Sequence, residues 1–468
     1  MSTSSLFLTQ SSEEYEELRR RYFNARVPDI KPVEIWLPST TAEVANILKS
    51  AKSRGLKVGV RSGGHHFPCF SLVENGLLID TKNLNKSIDY DRRTKVISFS
   101  PGHTVEDLAN YLHPVRRFFP FGHSRSVGIG GFYLAGGQGC FLRGWGYTCD
   151  TWVSQIEVVT ASGQVVIANK LENPDLFWAA PGSGQGFFGV VTRIWGRTIP
   201  AQKLYDTTVI IDATEISKPL LEWTLKTADT VPKYGNDIFI ATFYSDMDDQ
   251  DGGEFSQTGR IFMAINQTIH CDSLAEANTL SSPWNIIPKD FEPYVITKVP
   301  VTQRSWEELW ELQAKFQPAG HGERYRVDSI LADPGIPYDK VAEKVDIAVF
   351  QLPTRLSTGT IVFLDYYPDE ADQAVSLPQK LSVTTMACWK DPKRDEAMDS
   401  WMRNAYKEAE LVGLGQYVAD FDVTQRVTKI MTNTALRKWL RIRERWDPAE
   451  TFIGYRGFIR SLDLDARL

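Results

Sequence analysis

The clearest hydrophobic pattern in the chain lies between residues 40 and 60. Thr40 and Glu43 match the two ends of a capping box, which marks the start of a helix. Apolar residues then recur at helical spacing until the chain reaches a glycine: Val44, Ile47, Leu48, Ala51 and Gly55. Residues 57–60 form a short apolar run that is typical of a buried strand. The pattern therefore predicts an amphipathic helix followed by a strand that ends in a loop.

That loop, Arg61 to His66, contains two adjacent glycines followed by two histidines. Adjacent glycines let the backbone approach a bulky ligand closely. The loop is thus predicted to hold a ligand, with His65 at its mouth.

Predicted strands and helices alternate up to about Pro200, and strands dominate after it. Strand patterns cover residues 207–211, 237–244, 260–265, 361–367 and 382–389, with helical stretches between them. This texture predicts an antiparallel sheet backed by helices. The charged residues 11–30 are expected to form a surface helix. The cluster at 324–326 is expected to be a solvated loop, with binding of an acidic substrate as the alternative.

Glycine is concentrated between residues 121 and 146, and a second glycine-rich stretch covers 181–186. So many glycines lower the stability of the fold by their conformational entropy, which favours a backbone that wraps around a ligand over tight internal packing. Gly184 to Gly189 fits a dinucleotide-binding pattern, but it enters a β-branched run instead of a helix. A Rossmann site is therefore improbable. Gly122 to Ser126 also fails the nucleophile-elbow pattern, because a serine replaces its last glycine.

Composition narrows the classes of function only slightly. The 468 residues carry a net charge of -6 with a pI near 5.8, so no basic surface for nucleic acid is indicated. No signal peptide or membrane span is evident, which gives the expectation of an intracellular, cytoplasmic protein. The five cysteines show no CxxC pair, so neither a disulfide framework nor a metal site is predicted.

Seven ordered motifs together resemble one family. They are RSGGHHF (61–67), SPGHTVEDL (100–108), GHSRSVGIGGFYLAGGQG (122–139), GWGYTCD (144–150), EVVTASGQVV (157–166), DLFWAAPGSGQGFFGVVT (175–192) and RWDPAETF (445–452). This succession resembles the vanillyl-alcohol-oxidase type flavoproteins, closest to their berberine-bridge-enzyme-like branch. The resemblance is strong over residues 32–200 and weak over 201–415.

The resemblance implies an α+β fold with a split FAD-binding domain of the PCMH type, made of residues 1–200 and 425–468. Residues 201–424 would form the substrate domain. It also implies that FAD is bound covalently through His65. The remaining implied contacts with FAD are Arg61, Ser62, Gly63, Gly64, Gly122, Ser124, Val127, Gly128, Gly130, Gly131, Gly136, Gly137, Asp150, Val158 and Val191.

The chain departs from this family at two informative positions. Ser124 replaces the cysteine that forms a second flavin bond in many members, and serine cannot form a thioether. His65 is therefore predicted to be the only covalent attachment. Phe132 replaces a common histidine and cannot donate a hydrogen bond to the flavin.

The resemblance implies an oxidase that takes hydride from a small alcohol, sugar or secondary metabolite and passes the electrons to oxygen. The alternatives are a dehydrogenase or oxidative cyclase that reacts poorly with oxygen, and a non-catalytic FAD-binding protein. Such a reaction needs a base. Tyr417 is the first candidate, because its surroundings resemble the Y-x-N-Y segment of related oxidases, although the asparagine is missing. Asp365 and Tyr367, at the end of an apolar strand, are the others.

Overall fold

The computed structural model describes residues 6–246 and 259–464. Its helices are α1 (Tyr15–Arg19), α2 (Thr41–Ser53), α3 (Val105–Leu112), α4 (Ile129–Leu134), α5 (Leu142–Trp145), α6 (Pro174–Ala179), α7 (Ser217–Thr230), α8 (Leu274–Leu280), α9 (Trp306–Ala314), α10 (Tyr338–Phe350), α11 (Asp395–Ala409), α12 (Asn433–Trp446) and α13 (Arg456–Ile459). The capping box predicted for α2 is present, with the Glu43 amide donating to Thr40 Oγ1.

A four-stranded sheet, a five-stranded sheet and one two-stranded pair form the N-terminal part of the fold. Its strands are β1 (Leu6–Thr9), β2 (Glu34–Leu37), β3 (Val58–Arg61), β4 (Leu77–Asp80), β5 (Asp89–Asp91), β6 (Val96–Phe99), β7 (Arg117–Phe118), β8 (Val153–Thr160), β9 (Val165–Asn169), β10 (Gly189–Arg197) and β11 (Ile199–Pro200). One sheet has the order β1-β2-β4-β3, with β2, β4 and β3 parallel. The other is antiparallel with the order β5-β6-β10-β8-β9, and β7 pairs separately with β11.

An eight-stranded antiparallel sheet follows. Its strands are β12 (Lys203–Asp212), β13 (Asn236–Tyr244), β14 (Ile261–Cys271), β15 (Val295–Arg304), β16 (Arg324–Ala332), β17 (Thr358–Tyr366), β18 (Gln379–Trp389) and β19 (Gly413–Gly415). Their order is β15-β12-β14-β13-β17-β18-β16-β19. Apolar residues of α7, α10 and α11 pack against one face and share its core. The prediction of an α+β fold with a helix-backed antiparallel sheet is confirmed.

The end of the chain returns to the N-terminal part. Trp439 of α12 donates its indole hydrogen to Ser183 Oγ at 2.7 Å. The Val58 amide donates to the Thr451 carbonyl at 2.8 Å, and Phe452 forms an isolated parallel β-bridge with Val58. These contacts attach the residues after α12 to the strand that precedes the glycine and histidine loop. The boundaries at residues 200 and 424 remain predictions.

Two local predictions are corrected. The surface helix expected over residues 11–30 is only α1, about one and a half turns long. This segment is not simply solvated, because Tyr15 is buried and its hydroxyl donates a hydrogen bond to the Pro32 carbonyl. The cluster at residues 324–326 is not a solvated loop, because it begins β16. Arg324 pairs with Asp395 and Arg326 with Asp399, so these charges serve the fold.

The predicted absence of disulfides is confirmed, since all five cysteines are free and buried. Among the helices in the described part of the chain, none has both the length and the apolar character that crossing a bilayer requires.

Asp399 of α11 joins two distant segments. Arg26 donates to both carboxylate oxygens at 2.6 and 2.8 Å, and Arg326 Nε donates to Oδ1 at 2.6 Å. Burial alone would raise the pKa of Asp399, but these hydrogen bonds outweigh it and hold the pKa below the usual 3.8. The carboxylate therefore stabilises the attachment of the N-terminal segment to the eight-stranded sheet.

We expect Asp399→Asn to lower the free energy of unfolding by about 2 kcal/mol, the usual contribution of hydrogen bonds to a charged group. A group with a depressed folded-state pKa stabilises the fold above its unfolded pKa, and this contribution disappears as the pH falls below about 4. Thermal melts should therefore show a difference between wild type and variant at neutral pH that shrinks in acid. Asp372→Asn is the matched control, because the exposed Asp372 pairs only with exposed Lys170. An equal effect of both substitutions would contradict the prediction.

Candidate functional site

A cavity of about 370 Å³ lies where the N-terminal part meets the eight-stranded sheet. One wall is made of the loop after β3, the first turn of α4 and the stretch between α6 and β10. The facing wall consists of side chains from β13, β17 and β18: Phe239, Thr360, Val362, Ser382, Thr384 and Met386. One wall is therefore mainly glycine-rich backbone, and the other is mainly side chains of mixed polarity.

A groove of about 530 Å³ continues from this cavity toward the surface. Ser62, Gly63 and His65 line both spaces. The outer groove also carries His103 and several charged side chains: Arg21, Lys82, Lys86 and Asp107. The first histidine of the loop thus stands at the junction between the inner cavity and its opening.

His65 is held by two contacts. Its Nε2 lies 3.0 Å from Ser126 Oγ, and its ring stacks on Phe23 with centroids 4.8 Å apart. Burial lowers the pKa of His65 to about 4, although the contact with Ser126 acts in the opposite direction. The imidazole is therefore neutral near pH 7 and keeps a lone pair.

Glycines shape the backbone wall in two different ways. Gly63 and Gly128 pack backbone against backbone, so that a Cβ on either would overlap the other. A Cβ on Gly131, in contrast, would have no protein atom within 4 Å, although this residue lines the cavity. The first pair joins two loops of the protein, and Gly131 leaves space for a ligand.

Several buried polar atoms on the cavity wall have no hydrogen-bond partner among the residues that the structure describes. They are both ring nitrogens of His66, Nε2 of Gln138 and Oε1 of Gln185. Buried polar groups in native proteins are nearly always satisfied. These atoms therefore indicate a polar ligand with both donors and acceptors.

Most of the residues that the sequence predicts as ligand contacts line this cavity. They are Arg61, Ser62, Gly63, Gly64, His65, Gly122, Ser124, Val127, Gly128, Gly130, Gly131 and Val191, together with the candidate base Tyr417. The side chain of Arg61 turns away to form a buried pair with Asp80, with Nη2 to Oδ2 at 2.7 Å. Arg61 thus contributes to the fold through its side chain.

Four predicted ligand contacts do not line this cavity. Gly136 and Gly137 have φ values of 103° and 83° and pack on Tyr147 and Thr148. Their glycine character is required by a left-handed turn within the protein. Asp150 accepts a hydrogen bond from the hydroxyl of Tyr366. Val158, on β8, is buried in the hydrophobic core.

Two of the three candidate bases also lie off the cavity wall. Asp365 pairs with Lys233 at 2.7 Å and with Lys380 at 3.2 Å, and these cations help to keep its pKa low despite partial burial. Tyr367 is 55% exposed at the end of the strand. The strand pattern correctly indicated polar residues at its end, but it could not show that they face away from the cavity.

Tyr417 does line the cavity. Its hydroxyl accepts a hydrogen bond from the backbone N–H of Gln138 at 3.3 Å. Burial raises the pKa of Tyr417 well above its usual value of 10. The phenol is therefore protonated at neutral pH, which suits a hydrogen-bond donor better than a base.

His123 is a cavity residue that the sequence interpretation missed. Its Nε2 lies 2.6 Å from Asp237 Oδ2, and the Cys140 thiol completes a compact group. Burial opposes the charged form, but Cys140 and Asp237 raise the pKa of His123 well above 6.5. These three side chains are the one group among the described residues with donors close enough for a metal ion. Because 114 residues separate His123 from Asp237, no local pattern joins them.

Asp420 is the second missed residue. It lines the cavity at the end of a 3₁₀ turn, Val418–Asp420, that begins directly after Tyr417. Burial raises its pKa to about 6, with Ser329 acting in the opposite direction and the charge of Asp328 adding to the increase. Its closeness to Tyr417 in the chain was the available signal.

Comparisons with known proteins agree with this geometry. The family model for an FAD binding domain matches residues 32–169. The FAD-linked oxidoreductase janO of Penicillium janthinellum is 29% identical over 93% of both chains. The xylooligosaccharide oxidase of Thermothelomyces thermophilus is 34% identical, but over only 38% of this chain and 36% of that protein.

Solved structures show the same fold. BBE-like 1 of Physcomitrella patens superposes with a TM-score of 0.78 at 19% identity, covering 96% of each chain. The 6-hydroxy-D-nicotine oxidase of Arthrobacter nicotinovorans superposes with a TM-score of 0.79 at 17% identity, covering 97% of this chain and 98% of that one.

The open side of Gly131 gives a test of where FAD binds. We expect Gly131→Leu to lower the FAD content of the purified protein several-fold, because its side chain would enter space that the fold leaves empty. Gly131→Ala, which adds one methyl group at the same place, is the matched control with a smaller loss. Flavin absorbance per protein measures the effect, and thermal melts of the FAD-free proteins should agree, since helix α4 tolerates both residues. Full FAD content in the leucine variant would place the cofactor elsewhere.

Proposed function

We propose that this chain, which matches an FAD binding domain over residues 32–169 and is similar to FAD-linked oxidoreductases, is an oxidase of small organic molecules. Its substrate would be an alcohol, a sugar or a secondary metabolite. Oxygen would take the electrons and leave as hydrogen peroxide. The observation that carries this proposal is the single cavity in which the backbone wall around His65 faces the side-chain wall of the eight-stranded sheet.

The residues present on the wall fit FAD. The amides around Ser62, Gly63 and Gly64 can hold a pyrophosphate, and Gly131 leaves room beside them. The buried atoms of His66, Gln138 and Gln185 that lack protein partners offer donors and acceptors for a polar ring or ribityl chain.

The state of His65 supports a covalent attachment. A neutral imidazole with a free lone pair is the nucleophilic form, and burial provides it at neutral pH. Ser124 also lines the cavity, but a hydroxyl does not form the thioether that a cysteine could. We therefore propose His65 as the only covalent link.

Bound FAD supplies a two-electron acceptor for the hydride. The chain supplies a partly apolar space, because Phe239, Val362 and Met386 lie on the wall opposite the backbone loops. Thr360, Ser382 and Thr384 offer hydroxyls to the same space and can orient a hydroxylated substrate. This mixed wall supports an alcohol on a partly apolar skeleton.

The dehydrogenase or oxidative-cyclase alternative has one supporting observation. The relatives that align over 93% or more of this chain are named oxidoreductases. The relatives named xylooligosaccharide oxidase and carbohydrate oxidase align over only 38% and 39% of it. Reactivity with oxygen therefore has to be measured.

The covalent link predicts the fate of the flavin after denaturation. Acid-precipitated wild-type protein should retain its yellow colour in the pellet, whereas His65→Ala should release the flavin. His113→Ala, on a 3₁₀ turn outside the cavity, should behave like wild type. Mass spectrometry of the histidine-containing peptide locates the bond. Complete release of flavin from the wild-type protein would disprove the link.

Catalysis is tested by anaerobic reduction of the flavin. A panel of xylobiose, a benzylic alcohol, a cyclic secondary alcohol and a hydroxylated nicotine should include at least one compound that bleaches the flavin absorbance. Stopped-flow mixing of the reduced protein with oxygen then distinguishes an oxidase from a dehydrogenase or oxidative cyclase. Fast reoxidation with release of peroxide supports an oxidase, and slow reoxidation supports the alternative. If no compound bleaches the flavin, the result supports a non-catalytic FAD-binding protein.

A further inference from the structure

A single turn of the chain brings a carboxylate to the cavity. We propose that Asp420 is the catalytic base, which takes the hydroxyl or amine proton of the substrate during its oxidation. The proposal rests on the proposed function and adds the residue that moves the proton.

The first argument is position. Tyr417, Ala419 and Asp420 all line the cavity, and the turn that carries them closes the space between the backbone wall and the eight-stranded sheet. Ala419 stands where related oxidases have an asparagine, so a small side chain separates Tyr417 from Asp420. Asp420 therefore shares the cavity wall with Tyr417 and Ala419.

The second argument is support from behind. Gln416 is buried, and its Nε2 donates to the Asp420 carbonyl at 3.1 Å and to Asp328 Oδ1 at 2.9 Å. Asp328 in turn accepts from Arg426 Nε at 3.0 Å. The turn is thus fixed by a buried network, as a catalytic group requires.

The third argument is charge. Within residues 6–246 and 259–464, no cation forms a salt bridge with Asp420, so its lone pairs are not committed to a fixed positive charge. Its pKa of about 6 leaves the carboxylate ionised but basic near neutral pH. The Tyr417 phenol is protonated under the same conditions, because burial raises its pKa.

The charged and titratable groups around Asp420 leave this assignment intact. Asp328, on β16, is paired with Arg426, and Asp422 is paired with Arg326. Burial lowers the pKa of His66 to about 4, so this imidazole, although neutral near pH 7, is a weaker proton acceptor than the Asp420 carboxylate.

His123 on the cavity wall and Asp365 off the wall are already paired. His123 pairs with Asp237, and its raised pKa favours the protonated form, which cannot accept a proton. Asp365 lies off the wall and is paired with Lys233 and Lys380. Among the groups on the cavity wall that are unprotonated near pH 7, Asp420 therefore has a higher proton affinity than His65 and His66.

The reaction balances with the flavin as the oxidant. The substrate O–H or N–H bond breaks, and its proton goes to the Asp420 carboxylate. The adjacent C–H bond breaks with its electron pair, for which bound FAD would supply the two-electron acceptor as a hydride acceptor. A C=O or C=N bond forms as the substrate loses these two electrons.

The test is anaerobic flavin reduction in the FAD-loaded full chain, with whichever compound of the panel bleaches the wild-type flavin. In wild type the rate should rise with pH through about 6 and then level off. We expect Asp420→Asn to reduce the rate at least about 100-fold and to remove this rise, with unchanged FAD content. Asp420→Glu, which keeps a carboxylate, should restore part of the rate.

Asp422→Asn is the control for general damage. This neighbour lies outside the cavity and pairs with Arg326, so its loss should lower thermal stability while the pH profile of flavin reduction stays unchanged. A wild-type rate in Asp420→Asn overturns the assignment alone. A wild-type flavin that no compound reduces overturns the proposed function, and the assignment of the base with it.

A second measurement needs no substrate. The infrared difference spectrum between wild type and Asp420→Asn should contain one protonated carboxyl band that disappears as the pH rises through about 6. If no such band titrates in this range, the carboxylate does not have the proton affinity that the assignment requires.

Discussion

The contact between Gly63 and Gly128 determines how the cavity is built. Each glycine packs against the backbone of the other, and no larger residue fits at either position. The same junction is fixed by Ser62, whose hydroxyl donates to the Pro101 carbonyl, and by Gly130, which packs on Pro101. Three loops that are distant in sequence are thereby joined at one point. The position of His65 follows from this junction, because its neighbour Ser126 belongs to the second loop.

The opposite wall depends on a different kind of interaction. Here the eight-stranded sheet presents side chains at alternate positions of β17 and β18, and the turn after Tyr417 is attached by buried hydrogen bonds through Gln416 and Asp328. Arg426 neutralises Asp328, which makes burial of this carboxylate tolerable. Backbone packing thus forms the wall proposed to hold the cofactor, and a polar network positions the wall proposed to face the substrate.

The sequence predicted the first wall much better than the second. A capping box and a strand are local patterns, so the helix and the strand within residues 40–61 were predicted correctly from neighbours in the chain. Glycine content alone, however, did not separate Gly131, which opens on the cavity, from Gly136, which makes a left-handed turn against Tyr147. Strand alternation likewise placed Asp365 at a strand end without showing that Lys233 and Lys380 neutralise it. Pairings of this kind arise from the fold and leave no periodic trace.

Desolvation links the two reactive groups of the cavity. It lowers the pKa of His65 to about 4 and raises that of Asp420 to about 6, because burial disfavours the charged form of each. The shifts have opposite signs, yet both groups are in their useful state above about pH 6, where the imidazole is neutral and the carboxylate is ionised. A more polar cavity would move the carboxylate pKa down and weaken the base. The same exclusion of water that would favour hydride transfer therefore also sets the proton affinity of Asp420, the proposed base.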